Sequence, residues 1–453
     1  MKFTKFGKAL LMSALSVAVI FGVSSCIRSY TVGFLYVTGT LTAGTAGQGI
    51  ISGFKIDHNT GKLTPINTFP VSSGGSYPVR AVLISGSRFL YVLNRGTTAQ
   101  GSPSCTPTVP CQANIVQFAA GGNGILTAQE PLPFQSQGVN PFRMIADAPG
   151  NYLYVLDHAA PDSASVTGKT YTALNPNSCM LALGAGVQSC GDITAFQINS
   201  TTGRLELVVN AQVTAASGAA LTYFPVPANP IDFSLSSGFI LTLSGTPGTG
   251  DSVFPYTYSQ SSGQLTINQN SSQTLTGVFE ATAIVNGGSY VYVLDNEATL
   301  VAGSGASSQI LPFTVGNNGA LQSQTGGAVA DDPTLNNPIY LIQESKGKFA
   351  YVINQGNNAQ GTNAQSGIAG YVLDPTTHAL SFIAGEPYGS GAGPQCLVED
   401  PSNQFVYSAD FNDSAVTGRV VDPNSGSLNQ MRVTSTFALG GPATWCLVDG
   451  RTS

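Results

Sequence analysis

The sequence predicts an all-β fold, a seven-bladed β-propeller of four-stranded antiparallel blades, and three observations predict it. A pair of apolar runs joined by a short turn recurs seven times. A Gly-x-Leu-type turn recurs in step with it. The C-terminal segment reads as the first strand of a unit, whereas the N-terminal unit begins at a second strand. Composition agrees. With 42% hydrophobic residues the chain is too apolar for a disordered one, despite only 9% charged residues. Its 53 Gly and 26 Pro separate short β-branched and aromatic runs, as in turn-rich all-β chains. A single core rarely grows beyond about 300 residues. A chain of 453 therefore calls for several domains or a repeat array.

Residues 1–26 stand apart from the repeat. Lys2, Lys5 and Lys8 precede an apolar stretch from Ala9 to Val23 that is short for a membrane span. The stretch runs into Val23-Ser24-Ser25-Cys26, which resembles a bacterial lipoprotein box. That resemblance implies cleavage before Cys26, lipidation of its thiol, and an exported protein held in the cell envelope, with Ile27 favouring the outer membrane or a periplasm-facing site. An ordinary signal peptide with an incidental Cys is the alternative. Residues 27–453 carry a net charge of −9. Nucleic acid and anionic lipid surfaces both require basic patches, so neither is an expected partner, and the membrane is met only through the anchor.

The units follow in order. Each is anchored on the middle of its second strand, at Tyr36, Tyr91, Tyr154, Leu241, Tyr292, Tyr351 and Tyr407. Each is anchored again on the Leu of the later turn, at Leu63, Leu126, Leu205, Leu265, Leu321, Leu380 and Leu428, with His378 replacing Gly in one turn. The predicted units span approximately 443–449 with 33–70, then 78–134, 141–213, 230–275, 279–327, 338–387 and 394–438. Together they form one propeller domain over residues 27–453, fastened where Pro442–Asp449 joins the N-terminal blade.

From each Leu to the next anchor the spacing is 27 to 36 residues, but from anchor to Leu it ranges from 21 to 51. Length variation therefore sits between the second and third strands. The insertions there are Arg95–Gln112, His158–Gly191, Glu297–Ser307 and Gln355–Ser366, and the long Thr214–Asn229 connection joins them. All emerge on the face where each first strand begins. A binding or catalytic site is expected on that loop-rich face. Cys105 with Cys111 and Cys179 with Cys190 are read as local disulfides; zinc is the alternative, but no His stands at ligand spacing. Cys396 and Cys446 fall at related positions in adjacent blades, so they are expected to point the same way as free thiols.

The motifs PVRAVLISGSRFLYVLN, PFRMIADAPGNYLYVLD and PIYLIQESKGKFAYVIN, with FKIDHNTGKL, FQINSTTGRL and VVDPNSGSL, resemble the lactonase (6-phosphogluconolactonase-type) seven-bladed propeller family. The resemblance covers essentially all of residues 27–453. It implies a hydrolase that opens a sugar or related lactone at the channel mouth and needs no metal or cofactor. It also implies His and Arg where each first strand begins, in Pro-His or Pro-Arg-His. This chain has Pro78-Val79-Arg80, Pro141-Phe142-Arg143 and Pro338-Ile339-Tyr340 instead, so only the arginine is kept.

Arg80, Arg143, Asp232, Tyr340 and Cys396 each lie two residues after the Pro that opens a first strand, with Glu280 nearby in the fifth unit. Two arginines with an acid and a tyrosine suit an anionic or sugar-lactone ligand. The same residues suit ion pairs that only seal the blades. Arg80, Arg143 and His158 are the catalytic candidates, and Arg80, Arg143, Asp232, Glu280 and Tyr340 the ligand-binding ones. Of the three histidines, only His158 lies on the loop-rich face; His58 and His378 are expected in solvated turns on the other. The Asn or Asp ending a second strand (Asn94, Asp157, Asp295, Asn354, Asp410) recurs in five units, which marks a turn cap. The second expectation for function is a catalytically silent propeller that binds a glycan, peptide or protein partner through the loop-rich face.

Overall fold

The computed structural model describes residues 30–42, 47–84, 88–96, 113–129, 134–245, 250–267, 272–288, 290–297, 308–324, 327–356 and 365–450. Seven antiparallel sheets form the blades of a closed propeller. Blade one pairs Ala443–Asp449 with Thr31–Thr40, followed by Gln48–Asp57 and Leu63–Pro65. The first strands of blades two to seven are Pro78–Ile84, Val139–Ala146, Pro230–Ser236, Ala281–Asn286, Pro338–Gln343 and Pro394–Glu399. Every anchor lies within a second strand, and every turn Leu begins a fourth strand of three residues.

Each second strand is buried on both faces, which is why it reads as a continuous apolar run rather than an alternation. Seven hydrophobic clusters result, one between each pair of neighbouring blades. The cluster between blades seven and one contains Tyr407, Phe405, Leu35, Phe54 and Cys446. That core exists only because the chain's two ends pair, with Phe34 opposite Asp449 and Thr38 opposite Trp445.

The repeated tyrosine has a specific task. Its hydroxyl donates to the backbone carbonyl of the turn between the third and fourth strands of the next blade. The pairs are Tyr36 to Gly124 at 2.8 Å, Tyr91 to Gly203 at 2.5 Å and Tyr154 to Gly263 at 3.1 Å. Tyr292 reaches His378 at 3.3 Å, Tyr351 reaches Gly426 at 2.8 Å, and Tyr407 returns to Gly61 of blade one at 2.7 Å. Leu241 leaves blade four without this link. The receiving residue has a positive φ, and a Cβ on Gly124 would stand 2.3 Å from the Phe34 ring, so glycine is needed twice over. His378 adopts the same left-handed conformation at φ 54° and leans on Tyr290, with ring centroids 4.1 Å apart and planes tilted by 36°. His58 stacks on Tyr30 at 4.5 Å. Both imidazoles are half-buried against a ring, not free in solvent as expected.

Two features exceed the four-strand expectation. In five blades a further short strand, such as Val71–Ser76 or Phe224–Pro227, pairs with the leading half of the third strand. A three-residue fourth strand leaves that half unpaired, and the returning connection satisfies its backbone groups. The His158–Gly191 insertion also holds two short helices, Ala164–Thr167 and Ser178–Leu183. The second is capped by the Asn177 side chain, which accepts from the Met180 amide.

Cys179 and Cys190 are disulfide-bonded across the insertion, with Cα atoms 5.6 Å apart. Cys396 and Cys446 are bonded as well, with Cα atoms 5.8 Å apart, so the expectation of free thiols is wrong. The reason is a bulge. In blade seven Cys396 pairs with Ala409 just past a register shift, and in blade one the matching place, opposite Thr38, belongs to Trp445. Cys446 is one residue further along. Successive strand residues face opposite ways, so it turns back toward blade seven. Residues 1–26, including Cys26, and the pair Cys105 and Cys111 lie outside the described residues.

Candidate functional site

The same bulge occurs in all seven first strands, where each leaves the loop-rich face. It breaks the alternation once per blade and sets one residue just past the break at the same register. The seven residues so placed are Trp445, Arg80, Arg143, Asp232, Ala283, Tyr340 and Cys396. Five of them form a belt between two cavities, whereas Ala283 and Cys396 are buried between blades. The mouth on the loop-rich face has a volume of about 650 Å³, and the chamber beneath about 670 Å³.

The belt is not uniform. Arg143 Nε donates to Asp232 Oδ1 at 3.1 Å, and Asp232 Oδ2 accepts the Ile284 amide at 3.1 Å, tying blades three, four and five together. This is the sealing ion pair, and it accounts for one arginine only. Arg80 instead lies over the Trp445 ring, its guanidinium carbon 3.5 Å from the centroid. Burial within the wheel lowers its pKa to about 9; repulsion from Arg143 adds to this, and Asp232 and Tyr340 oppose it. It remains a cation at neutral pH.

Arg80, Arg143 and His158 line the same mouth. His158 is the penultimate residue of the second strand of blade three, Tyr152–Ala159, and its ring stacks on Phe142 with centroids 3.8 Å apart and planes 8° from parallel. It is open to the mouth. The surrounding protein, then the guanidiniums of Arg143 and Arg95, push its pKa down to about 4. The imidazole is therefore neutral at pH 7, able to accept a proton or donate a hydrogen bond. Asp232 and Tyr340 line the chamber below, which Arg80 and Arg143 also reach. Glu280 lines neither cavity; its carboxylate accepts from Asn296 Nδ2 at 3.2 Å. The equivalent position of blade five is the buried Ala283, so Glu280 stands outside the set it was expected to join.

Sequence reasoning missed three residues of the mouth. Arg95 follows the strand-ending Asn94, and its buried Nε has no partner. Tyr77 takes a left-handed φ of 51° where blades three, four and six use Asn and blade seven Gly. A bulky side chain in that region is strained by about 1 kcal/mol or more, and such outliers cluster at functional sites. Trp445, the chain's single tryptophan, is the third. The detectable signal for it was the bulge register, which makes it the equivalent of Arg80.

Of the strand-ending residues, Asn94, Asp295 and Asp410 hold neighbouring segments by side-chain hydrogen bonds, whereas Asn354 forms no such cap. Asp295 accepts the Glu280 amide and Gln309 Nε2, both at 2.8 Å, and Asp410 accepts from Thr417 at 2.7 Å. Blade three differs, because Asp157 sits directly opposite Asp192, both fully buried. Ser136 donates to Asp157. Burial raises both carboxyls well above the usual carboxylate range, and for Asp192 the adjoining Asp157 and Asp162 add to it. Among the described residues no group of three His, Cys, Asp or Glu is placed to hold a metal ion.

Three arginines thus converge on a mouth that no carboxylate lines among the described residues, the Asp232 that pairs Arg143 lying in the chamber beneath, within a chain whose net charge is negative. Such a site can fix an anion and polarise a carbonyl oxygen beside it. Residues 299–444 match the family model "Lactonase, 7-bladed beta-propeller". The fold is similar to the periplasmic gluconolactonase of Pseudomonas aeruginosa, with TM-score 0.59, 16% identity, and 92% of this chain and 99% of that chain covered. It is similar also to a Bacteroides fragilis protein named as a candidate 6-phosphogluconolactonase, with TM-score 0.60, 14% identity and coverage of 92% and 98%. No curated protein matches the sequence.

Proposed function

We propose that the mouth binds a small anionic sugar-acid derivative and opens its lactone ring. The observation that carries this is the convergence of Arg80, Arg95 and Arg143 on one cavity beside a neutral imidazole. A lactone carbonyl held against a guanidinium develops its negative charge where positive charge already waits. Water adds to the carbonyl carbon as His158 takes its proton. The ring C–O bond then breaks, and the leaving alkoxide recovers that proton to give the hydroxy acid. The lactonase-family match and the fold shared with a gluconolactonase support the reading.

One observation favours a second reading. An imidazole pushed down to about 4 is a weak base, which suits a site that binds an anion without turning it over. A pH-stat assay of the purified protein on a panel of sugar lactones, repeated with Arg80→Ala, Arg143→Ala and His158→Ala, separates the two. Hydrolysis lost on substitution supports the enzyme. Anion binding without hydrolysis supports the silent propeller, and neither outcome for any lactone or aldonate removes both.

We also propose that the protein works in the bacterial cell envelope, exported and lipidated at Cys26. Two disulfides suit that oxidising compartment, and the lipoprotein-like box suits the anchor. Mass spectrometry of the mature N-terminus tests it: a diacylated Cys26 is expected, and an unmodified residue there overturns it.

A further inference from the structure

The strand that closes the ring also carries the chain's one tryptophan. Trp445 holds the belt position of blade one and is braced from three other blades. Arg80 of blade two lies across its face at 3.5 Å. Tyr340 of blade six meets it edge-on, with centroids 5.2 Å apart and planes 80° from parallel. Its neighbour Cys446 is bonded to Cys396 of blade seven.

Arg80 has need of such a support. Among the described residues the one ion pair belongs to Arg143 and Asp232, and no side-chain hydrogen bond is formed by the Arg80 guanidinium. An arginine that projects unpaired into a cavity samples many rotamers, and an anion that fixes one of them loses affinity to that ordering. A guanidinium lying flat on an indole has already given up most of this freedom. Its N–H bonds lie in the plane of the stack, so the edge that chelates a carboxylate or phosphate stays open. Stacking on an aromatic face thus orients the cation without consuming its donors, which an ion pair with a carboxylate would do.

We infer that Trp445 is the positioning residue of the mouth, holding Arg80 flat and edge-on to an incoming anion. Closing the ring and completing the site are then one event, because the fastening strand brings the indole to Arg80. This rests on the reading of the mouth as an anion site, and it assigns a role to a residue that touches no reacting atom.

The test has two arms, with D-gluconate as the anionic probe. In the ligand-free arm, the emission of the single tryptophan is compared between the wild type and Arg80→Ala. Removing the cation from the ring should shift the emission maximum by several nanometres. In the binding arm, calorimetry compares Trp445→Leu with Trp445→Phe. Leu removes the platform and should weaken gluconate about tenfold, the scale of a desolvated cation–π contact, whereas Phe keeps a ring and should stay within about threefold. Rescue by Phe would not be seen if Trp445 only filled space. Failure of gluconate to bind the wild type overturns the anion reading while the emission arm still judges the stack. Unchanged emission in Arg80→Ala, undiminished binding by Trp445→Leu, or equal loss in the Phe and Leu variants overturns the inference.

Discussion

Replacing Cys396 and Cys446 with alanine should open the wheel at its seam. The bond closes a loop of 50 residues, and in the chain-entropy account a loop of that length stabilises by about 4 kcal/mol at 25 °C. The Cys179–Cys190 bond closes a loop of 11 residues, for which the same account gives about 3 kcal/mol. The two bonds differ more in what they hold than in size. The first ties the closing strand to blade seven, and the second pins an insertion. Trp445 is the only tryptophan and stands in the closing strand, so its emission reports the seam while far-UV circular dichroism reports all seven sheets. With a slope of about 2 kcal/mol per molar urea, loss of about 4 kcal/mol moves the emission midpoint down by about 2 M, ahead of the dichroism signal. The Cys179→Ala/Cys190→Ala variant should leave the emission midpoint within about 0.5 M of the wild type. Identical emission curves for the seam variant and the wild type would refute the reasoning, since the bond would then contribute nothing to closure.

Other consequences are equally open to measurement. Tyr351→Phe removes a hydroxyl that reaches Gly426 of the next blade and leaves a buried carbonyl unpaired; it should cost about 1 to 3 kcal/mol in urea unfolding, and a change under about 0.5 would remove the tyrosine ring from the account. Asp157 and Asp192 titrate well above the carboxylate range because they are buried, and burial likewise raises Glu386 to about 7 and Asp410 to about 6. The folded state therefore holds protons that the unfolded chain has released. Stability should be greatest near the ordinary carboxylate pKa and fall as pH rises toward and through neutrality. Asp192→Asn should flatten the thermal midpoint against pH, and a wild-type midpoint that climbs from pH 5 to 8 would contradict this. Arg95→Ala should weaken aldonate binding about tenfold with urea stability unchanged, because its Nε has no partner to lose. The same variant should raise the His158 pKa from about 4 toward its usual value, read by proton NMR titration, since one of the two repelling cations is gone.

The repeat was legible because propeller physics is local and periodic. Doubly buried second strands, glycine turns and a tyrosine at a fixed place all write themselves into the sequence at regular spacing. The fastening of the ends was legible for the same reason, as a first strand at Ala443–Asp449 had no partner elsewhere. The short fifth strands were not, because two to six residues filling a half-empty ladder have no periodicity to betray them. At the site, Arg80, Arg143 and His158 were found by counting from the proline and by insertion length. Trp445 and the Cys396–Cys446 bond were missed together, through a single cause. A bulge shifts the register by one residue, and one residue decides which neighbour a side chain meets. Glu280 is near along the chain, whereas the fold puts the buried Ala283 at its blade's equivalent position. Arg95 lies just past a strand end, where sequence spacing does not indicate direction.

The most direct measurement is a calorimetric titration of the mature protein with D-gluconate, set against the uncharged D-glucose, at low and high salt. With two guanidiniums left unpaired at the mouth, gluconate should bind, glucose should not, and added salt should weaken the gluconate signal. Equal affinity for the neutral sugar, or gluconate binding untouched by Arg80→Ala and Arg95→Ala, would show that the arginine mouth is not where this protein meets its ligand.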